Sequence, residues 1–305
     1  MIKKTALMLQ LLYCVLSAAE ERWTVSSRGM DVPFRSWQAE EARAGAGVLV
    51  LVPGYNGRGE QMLDARWKAF ATKHELVLLA PTFQAEGKEN NEGKGYYYPE
   101  QGSGEVMEKA LKEVGKRSGA ETDKVLFFGF SAGAHFVHRF ALWQPQRVKA
   151  FVAYSAGWWS EPTARVRKVP ALVMCGEADE RYGATWEFFK KGQRLGCPWV
   201  WRSYKETGHV LTPAVRDMAE VFLACYAGRG KEQAGSGVAS GLGPDKMPMT
   251  KEEQAGMPVS RVSRYGDIQT YRSVGPAERD SIPEEFRIEL PSKAVAEVWE
   301  KETSE

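Results

Sequence analysis

The chain has 305 residues, of which 43% are hydrophobic, and this is enough to bury the core of one sizeable domain. It carries 41 basic and 39 acidic residues, which gives a formal net charge of +2. Because nucleic-acid binding needs a concentrated basic surface, this charge balance argues against a nucleic-acid partner.

The amino terminus has the pattern of a secretory signal peptide. Lys3 and Lys4 precede an apolar run at residues 6–16, and the small residues 17–19 follow at the positions that a signal peptidase reads. The apolar run is shorter than a typical membrane span. We therefore expect residues 1–19 to be a signal peptide cleaved near Ala19, and the mature protein to be secreted or periplasmic without a stable membrane span. An uncleaved anchor is the alternative.

Signal cleavage would leave three of the four cysteines, an odd number that cannot all pair. Cys175 ends a predicted buried strand, and we expect it to be a small core residue. Cys197 and Cys225 flank the last predicted strand and helix, and they could form a disulfide in an oxidising compartment. The sequence has no C-x-x-C motif and no His/Cys cluster, so it predicts no metal and no other cofactor.

Predicted strands and helices alternate along most of the chain. A hairpin formed by residues 22–27 and 32–38 comes first. Near-continuous apolar runs, typical of strands covered on both faces, follow at residues 47–52, 76–80, 125–128, 148–154, 170–174 and 199–204. Helical spacing of apolar residues predicts helices at residues 59–74, from 102, after 131, and at 182–195 and 212–226. The pattern predicts an α/β domain at residues 20–227, with a mostly parallel sheet, helices on both faces and the hairpin as an antiparallel edge.

The composition changes at residue 228. Residues 228–244 are rich in Gly, Ser, Ala and Lys, and the remainder is polar with scattered proline. We expect residues 228–305 to be a mostly flexible polar tail, with a short helix at residues 293–301. The alternative is a segment that docks on the domain or on the cell envelope.

The segment Gly129-Phe130-Ser131-Ala132-Gly133 lies between a predicted strand and a predicted helix, the context of a nucleophile elbow. A serine on such a turn has a strained backbone, and side chains two residues away on either side would collide with neighbouring chain. The Ser131 hydroxyl would stand at the carboxyl end of the sheet, where the helix dipole and the Ala132 N–H favour a negative oxygen. A partial copy at Ser155 lacks the first glycine and is followed by a segment unsuited to a helix.

A serine nucleophile needs a base, and we identify His209 as the best candidate among four histidines. His209 follows the last predicted strand, where a loop can bring it over the carboxyl edge of the sheet. The other three, which lie in or beside predicted helices, are expected to have structural or surface roles: His74, His135 and His138.

The base needs an orienting acid, and Asp179 lies just beyond the penultimate core strand. Glu177 and Glu180 are its competitors, and Glu180 is expected to face solvent. The chain order Ser131, Asp179, His209 is the order expected for a nucleophile elbow of this type. Each of the three follows a strand at its carboxyl end, where open α/β sheets place their sites.

Stabilisation of a tetrahedral oxyanion needs two hydrogen-bond donors. Ala132 N–H is one, and the turn Gly54-Tyr55-Asn56 is expected to supply the other as Tyr55 N–H. The competing interpretation is that Tyr55 and Asn56 are plain turn residues. The residues expected to contact substrate are Asn56, Phe130, Trp158 and Trp159. The two tryptophans have a second interpretation as bulky core residues.

Four segments, Pro53–Gly57, Gly129–Gly133, Gly176–Asp179 and Gly208–His209, together resemble the α/β-hydrolase superfamily over residues 48–226. Residues 65–81 are similar to the segment after the oxyanion turn in secreted esterases of the polyhydroxybutyrate-depolymerase and feruloyl-esterase type. Many relatives have His-Gly where this chain has Pro53-Gly54. The resemblance implies serine carboxylesterase chemistry, with an acyl-enzyme on Ser131 and hydrolysis by a water that His209 activates.

The predicted connection from Tyr154 to Pro170 is too short for a large cap domain. We therefore expect an open, shallow site that accepts esters with short-chain, aromatic or polymer-attached acyl groups. Two other functions remain open, a serine peptidase of the same fold and a non-catalytic binding protein on a hydrolase scaffold. Such peptidases usually carry a large additional domain, and such scaffolds usually lack a triad member. The sequence does not indicate an oligomeric state.

Overall fold

The computed structural model describes residues 19–40, 44–84, 95–228 and 263–301. The predicted signal peptide therefore lies outside the described residues, apart from Ala19. Eight strands form the central sheet: β1 (Ala19–Ser27), β2 (Met30–Gln38), β3 (Gly47–Val52), β4 (Leu76–Pro81), β5 (Val125–Phe130), β6 (Val148–Tyr154), β7 (Ala171–Gly176) and β8 (Trp199–Tyr204). Six helices accompany them: α1 (Gly59–Met62), α2 (Ala65–Lys73), α3 (Ser103–Ser118), α4 (Ala132–Trp143), α5 (Tyr182–Arg194) and α6 (Pro213–Ala227).

The sheet has the order β1-β2-β4-β3-β5-β6-β7-β8. Strands β3 to β8 are mutually parallel, and the β1–β2 hairpin joins β4 in antiparallel orientation. The predicted mostly parallel sheet with an antiparallel leading edge is confirmed. The parallel strands bring their carboxyl ends to one edge of the sheet, which is where the candidate site lies.

Helices cover both faces of the sheet because successive residues of the buried strands point to opposite sides. Phe127 of β5 packs against Phe140 of α4, whereas its neighbour Phe128 packs against Trp67 of α2. On the Phe127 side, α4 also contacts α3 and α5, through Trp143 over Gly104 and through a ring contact between His138 and Phe188. On the Phe128 side, Arg66 of α2 forms ion pairs with Asp217 and Glu220 of α6.

The segment predicted as one helix at residues 59–74 consists of two helices. Helix α1 ends at Met62, and Asp64 is the N-cap of α2, with its carboxylate accepting a hydrogen bond from Trp67 N–H at 2.9 Å. Gly59 begins α1 against the end of β4, where a Cβ would lie 2.5 Å from the Ala80 carbonyl oxygen. The break therefore lets the chain turn tightly at β4 before α2 runs along the sheet.

Residues 263–301, here called the C-terminal unit, differ from the predicted flexible tail. They form a three-stranded antiparallel sheet of β9 (Arg264–Asp267), β10 (Arg272–Val274) and β11 (Arg287–Leu290), followed by helix α7 (Lys293–Trp299). Apolar side chains that are scattered along a polar sequence converge here and are buried: Ile268, Ile288, Leu290, Val295 and Trp299. The indole of Trp299 is fully buried, and its Nε1 donates to Trp201 O of β8 at 2.6 Å. The unit is ordered because these few residues share a core with β8 and α6.

The suggested disulfide between Cys197 and Cys225 is wrong, because both are free thiols in the structure. Cys225 lies on α6, on the sheet face opposite to α5, which directly precedes Cys197. Its thiol contacts Ser292 Oγ at 3.2 Å. Cys175 is fully buried, as predicted. Across the four described ranges, none of the helices is both long enough and apolar enough to span a bilayer.

Candidate active site

Ser131 occupies the turn between β5 and α4 with a strained backbone, φ of 55° and ψ of −116°. Non-glycine residues rarely adopt a positive φ, and such strain clusters at functional sites. The flanking glycines are sterically required. A Cβ on Gly129 would lie 2.5 Å from Gly133 C, and one on Gly133 would lie 2.1 Å from Val52 O. The structure thus has the elbow geometry that the motif predicts.

His209, in the loop after β8, reaches the Ser131 hydroxyl. Its Nε2 lies 2.8 Å from Ser131 Oγ, and the bond is exposed to solvent. The imidazole stacks on the Phe130 ring, with centroids 4.9 Å apart. Val210, the next residue, accepts a hydrogen bond at its carbonyl oxygen from the hydroxyl of the buried Tyr154 at 2.8 Å. Phe130 of the elbow and Tyr154 of β6 therefore hold the loop that carries the base.

Asp179, beyond β7, completes the hydrogen-bonded chain. Its side chain is fully buried, and its Oδ2 accepts the Nδ1–H of His209 at 2.7 Å. Its Oδ1 accepts from the backbone N–H and from Nη1 of Arg181, each at 3.1 Å. Burial alone would raise the pKa of Asp179, but the hydrogen bonds from His209, Arg181 and Ser155 outweigh it and hold that pKa below its ordinary value. Asp179 is therefore a carboxylate near neutral pH.

The competing residues lie elsewhere. Glu177 accepts a hydrogen bond from Ser203 Oγ at 2.7 Å, and Glu180 is 81% exposed and pairs with Arg181. Ser155, in the partial copy of the motif, also has a positive φ of 58°, but it is fully buried with Oγ 3.4 Å from Cys175 Sγ. Burial keeps this second serine away from any substrate.

The turn after β3 lies beside the nucleophile. A Cβ on Gly54 would be 3.5 Å from Ser131 Cβ, so Gly54 lies close to the nucleophile. The turn closes with Gly57 N–H donating to Gly54 O at 2.9 Å, and Asn56 has a positive φ of 57°. Tyr55 and Asn56 thus belong to a tight turn at the site, and Ala132 begins α4 directly after Ser131.

His135 and His138 of α4 are buried and hold the loop after β6. Gly157 N–H donates to His135 Nε2 and Ser160 N–H donates to His138 Nε2, each at 3.1 Å. Burial lowers the pKa of His135 to about 3, with the positive charge of Arg139 adding to the effect, so this ring stays neutral. The expectation of structural roles agrees with these contacts. Their specific task as loop anchors was missed, because nothing in the sequence pairs them with residues 157 and 160.

Arg139 adds a third anchor to the same loop. It is buried, and it donates to Ser160 Oγ at 2.9 Å and to Trp158 O at 3.1 Å. The loop presents Trp158 to solvent above the His135 ring, with centroids 5.1 Å apart. Trp159 instead stacks on Phe188 at 4.2 Å, which gives it a packing position. The two adjacent tryptophans therefore have different surroundings.

Exposed large hydrophobic side chains lie in loops at the same edge of the sheet as the Ser131–His209 pair. Among the described residues, those in this class are Tyr55, Trp158 and Val210, with 55%, 54% and 51% exposure. All three belong to loops that follow the carboxyl ends of sheet strands: the β3 turn, the β6 loop and the β8 loop. The nucleophile therefore lies within an open apolar rim. His74, by contrast, ends α2 against Phe70.

The strand order, the elbow between β5 and α4, the acid after β7 and the histidine after β8 define an α/β-hydrolase fold. Similar solved structures include an S-formylglutathione hydrolase from Agrobacterium tumefaciens, with 17% identity, a TM-score of 0.57 and coverage of 70% of this chain and 96% of that one. A poly(3-hydroxybutyrate) depolymerase from Bordetella parapertussis is similar at 20% identity and a TM-score of 0.55, with coverage of 68% and 88%.

A poly(aspartic acid) hydrolase from Sphingomonas sp. KT-1 is also similar, at 18% identity and a TM-score of 0.53, with coverage of 64% of this chain and 95% of that one. No protein-family model matches the sequence, and no curated protein matches it. At identities this low, the likeness establishes the fold, and activity has to be argued from the site itself.

Proposed function

We propose that the protein is a serine hydrolase that cleaves carboxylic esters. The observation that carries the proposal is the continuous hydrogen-bonded chain from Ser131 Oγ through His209 to the buried Asp179, with contacts of 2.8 and 2.7 Å. A serine hydroxyl is a poor nucleophile at neutral pH, and a neutral imidazole within hydrogen-bond distance is the group that activates it. The names of the similar structures denote hydrolases, which agrees with this chemistry.

In the acylation step, Ser131 Oγ attacks the ester carbonyl carbon while His209 Nε2 takes the hydroxyl proton. The Asp179 carboxylate holds the Nδ1–H of the ring and stabilises the imidazolium that forms. The tetrahedral intermediate then collapses, and the C–O bond to the alcohol breaks as His209 returns the proton to the leaving oxygen. An acyl group remains on Ser131.

The negative oxygen of the intermediate is stabilised by the backbone N–H groups of Ala132 and Tyr55. Ala132 N–H belongs to the first turn of α4, where N–H groups have no intrahelical acceptor and the helix dipole favours an anion. The turn that carries Tyr55 passes close to Ser131 at Gly54, where an added Cβ would lie 3.5 Å from Ser131 Cβ. Each such donor lowers the barrier by about 3 kcal/mol in comparable sites.

Deacylation reverses these roles. A water molecule gives its proton to His209 and attacks the acyl carbon, and Ser131 leaves with the proton that His209 then donates. Because the described part of the chain leaves the Ser131–His209 bond exposed, water reaches this position directly from solvent. The acid product then dissociates into solvent.

The open apolar rim supports substrates with short-chain, aromatic or polymer-attached acyl groups. The β6–β7 connection, which is fully described, contains one short 3-10 helix at Ala164–Val166, so no cap domain is inserted there. Phe130, Asn56 and Trp158 line the approach to Ser131 in this proposal. Trp159 contributes by packing the loop that presents Trp158.

Export to a secreted or periplasmic location is part of the proposal and is supported by the amino-terminal pattern alone. Mass spectrometry of protein purified from the culture medium or periplasm tests it directly. A mature amino terminus near residue 20 is the expected result. Retention of residues 1–19 on membrane-bound protein would instead identify an uncleaved anchor.

The function is tested by labelling the purified protein with a fluorophosphonate probe and by turnover of nitrophenyl esters of increasing acyl length. We expect the wild type to label, and we expect Ser131→Ala and His209→Ala to lose labelling and about 10⁴-fold or more in kcat. Ser281→Ala, which changes an exposed serine of the C-terminal unit, is the matched control and should label normally.

Three results would contradict the proposal. A folded wild type that neither labels nor turns over esters would favour a binding protein on a hydrolase scaffold. Labelling that persists in Ser131→Ala would show that the nucleophile is wrongly assigned. Faster cleavage of peptide nitroanilides than of any ester would place the protein among peptidases.

A further inference from the structure

We infer that Tyr271 of the C-terminal unit is a positioning residue for the active site, acting through Ser203 on the loops that carry Asp179 and His209. The inference rests on the proposed hydrolase function. Ser203 is the penultimate residue of β8, and the loop that follows this strand carries the base. The acid loop follows the neighbouring strand β7. Tyr271 contacts the sheet where these two loops begin.

The Tyr271 hydroxyl makes two hydrogen bonds to Ser203. Its oxygen accepts from Ser203 N–H at 2.9 Å, and it lies 2.8 Å from Ser203 Oγ. Ser203 Oγ in turn lies 2.7 Å from Glu177 Oε1. A carboxylate can only accept, so Ser203 O–H donates to Glu177, and Tyr271 O–H must donate to Ser203 Oγ. The proton direction along Tyr271, Ser203 and Glu177 is therefore fixed.

The far end of this chain belongs to the acid loop. Glu177 is two residues before Asp179, and its N–H donates to Tyr204 O at 2.9 Å. The next residue, Ala178, donates to Thr207 O at 3.0 Å, and Thr207 is two residues before His209. The approach is close, because a Cβ on Gly176 would lie 2.1 Å from Thr207 O. A shift of Ser203 is therefore transmitted to both loops.

The backbone of Tyr271 indicates that its placement is specifically enforced. It closes the β9–β10 hairpin with a positive φ of 53°, at a position where glycine or asparagine is favoured and a bulky side chain is an outlier. The ring contacts the Arg202 guanidinium at 4.1 Å and the Trp299 ring at 5.0 Å. Such strain persists where the surrounding structure holds the residue in place, and it is concentrated at functional sites.

The test uses the full chain with Tyr271→Phe, which removes the hydroxyl and keeps the ring contacts with Arg202 and Trp299. Tyr265→Phe is the matched control, because Tyr265 lies on β9 of the same unit with its ring over Arg279. We expect Tyr271→Phe to lower kcat for a nitrophenyl ester about 3- to 10-fold with KM unchanged, less than the ~100-fold that a misplacement of about 1 Å costs. Tyr265→Phe should match the wild type.

Ser203→Ala breaks the same chain in its middle, so a double-mutant cycle tests whether the two residues act as a unit. We expect Tyr271→Phe/Ser203→Ala to lose no more kcat than the more affected single variant. If Tyr271 only covered the edge of β8, Tyr271→Phe would lower the melting temperature, and kcat measured well below that temperature would equal the wild-type value. That result, or additive losses in the double variant, would overturn the inference.

A readout that does not need turnover separates this inference from the proposed function. The downfield proton NMR signal of His209 Nδ1–H reports its hydrogen bond to Asp179 in the resting protein. We expect Tyr271→Phe to shift or broaden this signal and Tyr265→Phe to leave it in place. An unchanged signal in Tyr271→Phe refutes positioning whether or not the wild type hydrolyses esters, whereas an inactive wild type refutes the hydrolase proposal alone.

Discussion

At the scale of single residues, Arg181 shares the Asp179 carboxylate with His209. Its Nη1 and backbone N–H bind Oδ1, while His209 binds Oδ2. Burial raises the pKa of Asp179, and the hydrogen bonds from His209 and Arg181 outweigh it and hold that pKa below its ordinary value. The same guanidinium nitrogen also pairs with Glu180 Oε1 at 3.0 Å. Arg181 therefore helps to keep Asp179 charged.

Replacement of Arg181 by methionine removes the charge and keeps most of the volume. Asp179 would then lose a hydrogen bond and a neighbouring positive charge that lower its pKa. We therefore expect the pKa of Asp179 to rise toward its ordinary value, as measured by NMR titration of its side-chain carboxyl carbon. Arg181→Lys retains the charge and should raise this pKa less. An unchanged pKa of Asp179 in Arg181→Met would show that Arg181 has no electrostatic role.

The three residues of the hydrogen-bonded chain were predictable, because each follows a recognisable strand and Ser131 belongs to a motif with a steric reason. Arg181 was not identified, although it lies two residues from Asp179. The sequence alone does not distinguish an arginine that binds a carboxylate from an arginine that is exposed on the surface. Arg139 was missed for a related reason. Its donors reach a loop about twenty residues away, and nothing local in α4 indicates that contact.

At the scale of elements, Asp64 decides where one predicted helix becomes two. Apolar spacing continues through the break, from Met62 to Trp67, so periodicity alone predicts a single helix. The carboxylate instead caps α2 and also pairs with Arg216 of α6 at 2.7 Å. The Arg216 guanidinium in turn lies over the Trp67 ring at 5.4 Å. Asp64 thus joins the two helices that cover one face of the sheet.

Asp64→Ala removes both the helix cap and the partner of Arg216. We expect the free energy of unfolding to fall by about 2 kcal/mol, of which the lost cap accounts for about 1 kcal/mol. Asp64→Asn keeps a capping oxygen and loses the charge, so it should lose about half as much. Urea denaturation followed by circular dichroism measures both. Equal stability of Asp64→Ala and the wild type would rule out a structural role for this break.

In the C-terminal unit, the amino-acid composition predicts a flexible tail, whereas the structure contains strands and a helix. Its strands have three or four residues, and its polar sequence resembles a flexible linker. The predicted short helix corresponds to α7, because Ser292 caps it and its apolar residues have helical spacing. The strands could not be predicted, because Ile288 and Leu290 are buried against elements more than sixty residues earlier in the chain. Tertiary contacts, not local pattern, order this segment.

At the scale of the whole molecule, the C-terminal unit makes stability depend on pH through Glu289 of β11. Burial raises the pKa of Glu289 to about 7, against the lowering effect of Arg279 and Arg287. Its Oε2 has no hydrogen-bond partner among the described residues. A carboxyl group whose pKa is raised by folding makes its full contribution to stability at pH values below its pKa in the unfolded chain, near 4.5. This contribution is lost as the pH rises through the folded-state pKa of about 7.

We therefore expect the melting temperature of the wild type to decrease between pH 5 and pH 8 by more than that of Glu289→Gln. The glutamine variant should be the more stable of the two at pH 8, because it never places a charge in this site. Asp179, with its lowered pKa, contributes stability that is lost as the pH falls rather than as it rises, and the loss occurs at lower pH. The pH ranges in which the two groups affect stability therefore do not overlap. Parallel pH curves for the two proteins in calorimetry would contradict this assignment.

The contacts on β8 also determine how copies of the chain can associate. The Trp201 carbonyl and the Ser203 N–H, which point outward from this terminal strand, are bound by Trp299 and Tyr271. A strand from another molecule therefore cannot pair with these backbone groups on this side of the sheet. Within the described residues, the other edge of the central sheet is β1, whose charged residues Glu20, Glu21 and Arg22 oppose strand addition. Loosening of the C-terminal unit would expose β8 as a second open edge of the central sheet, and with it a site for aggregation.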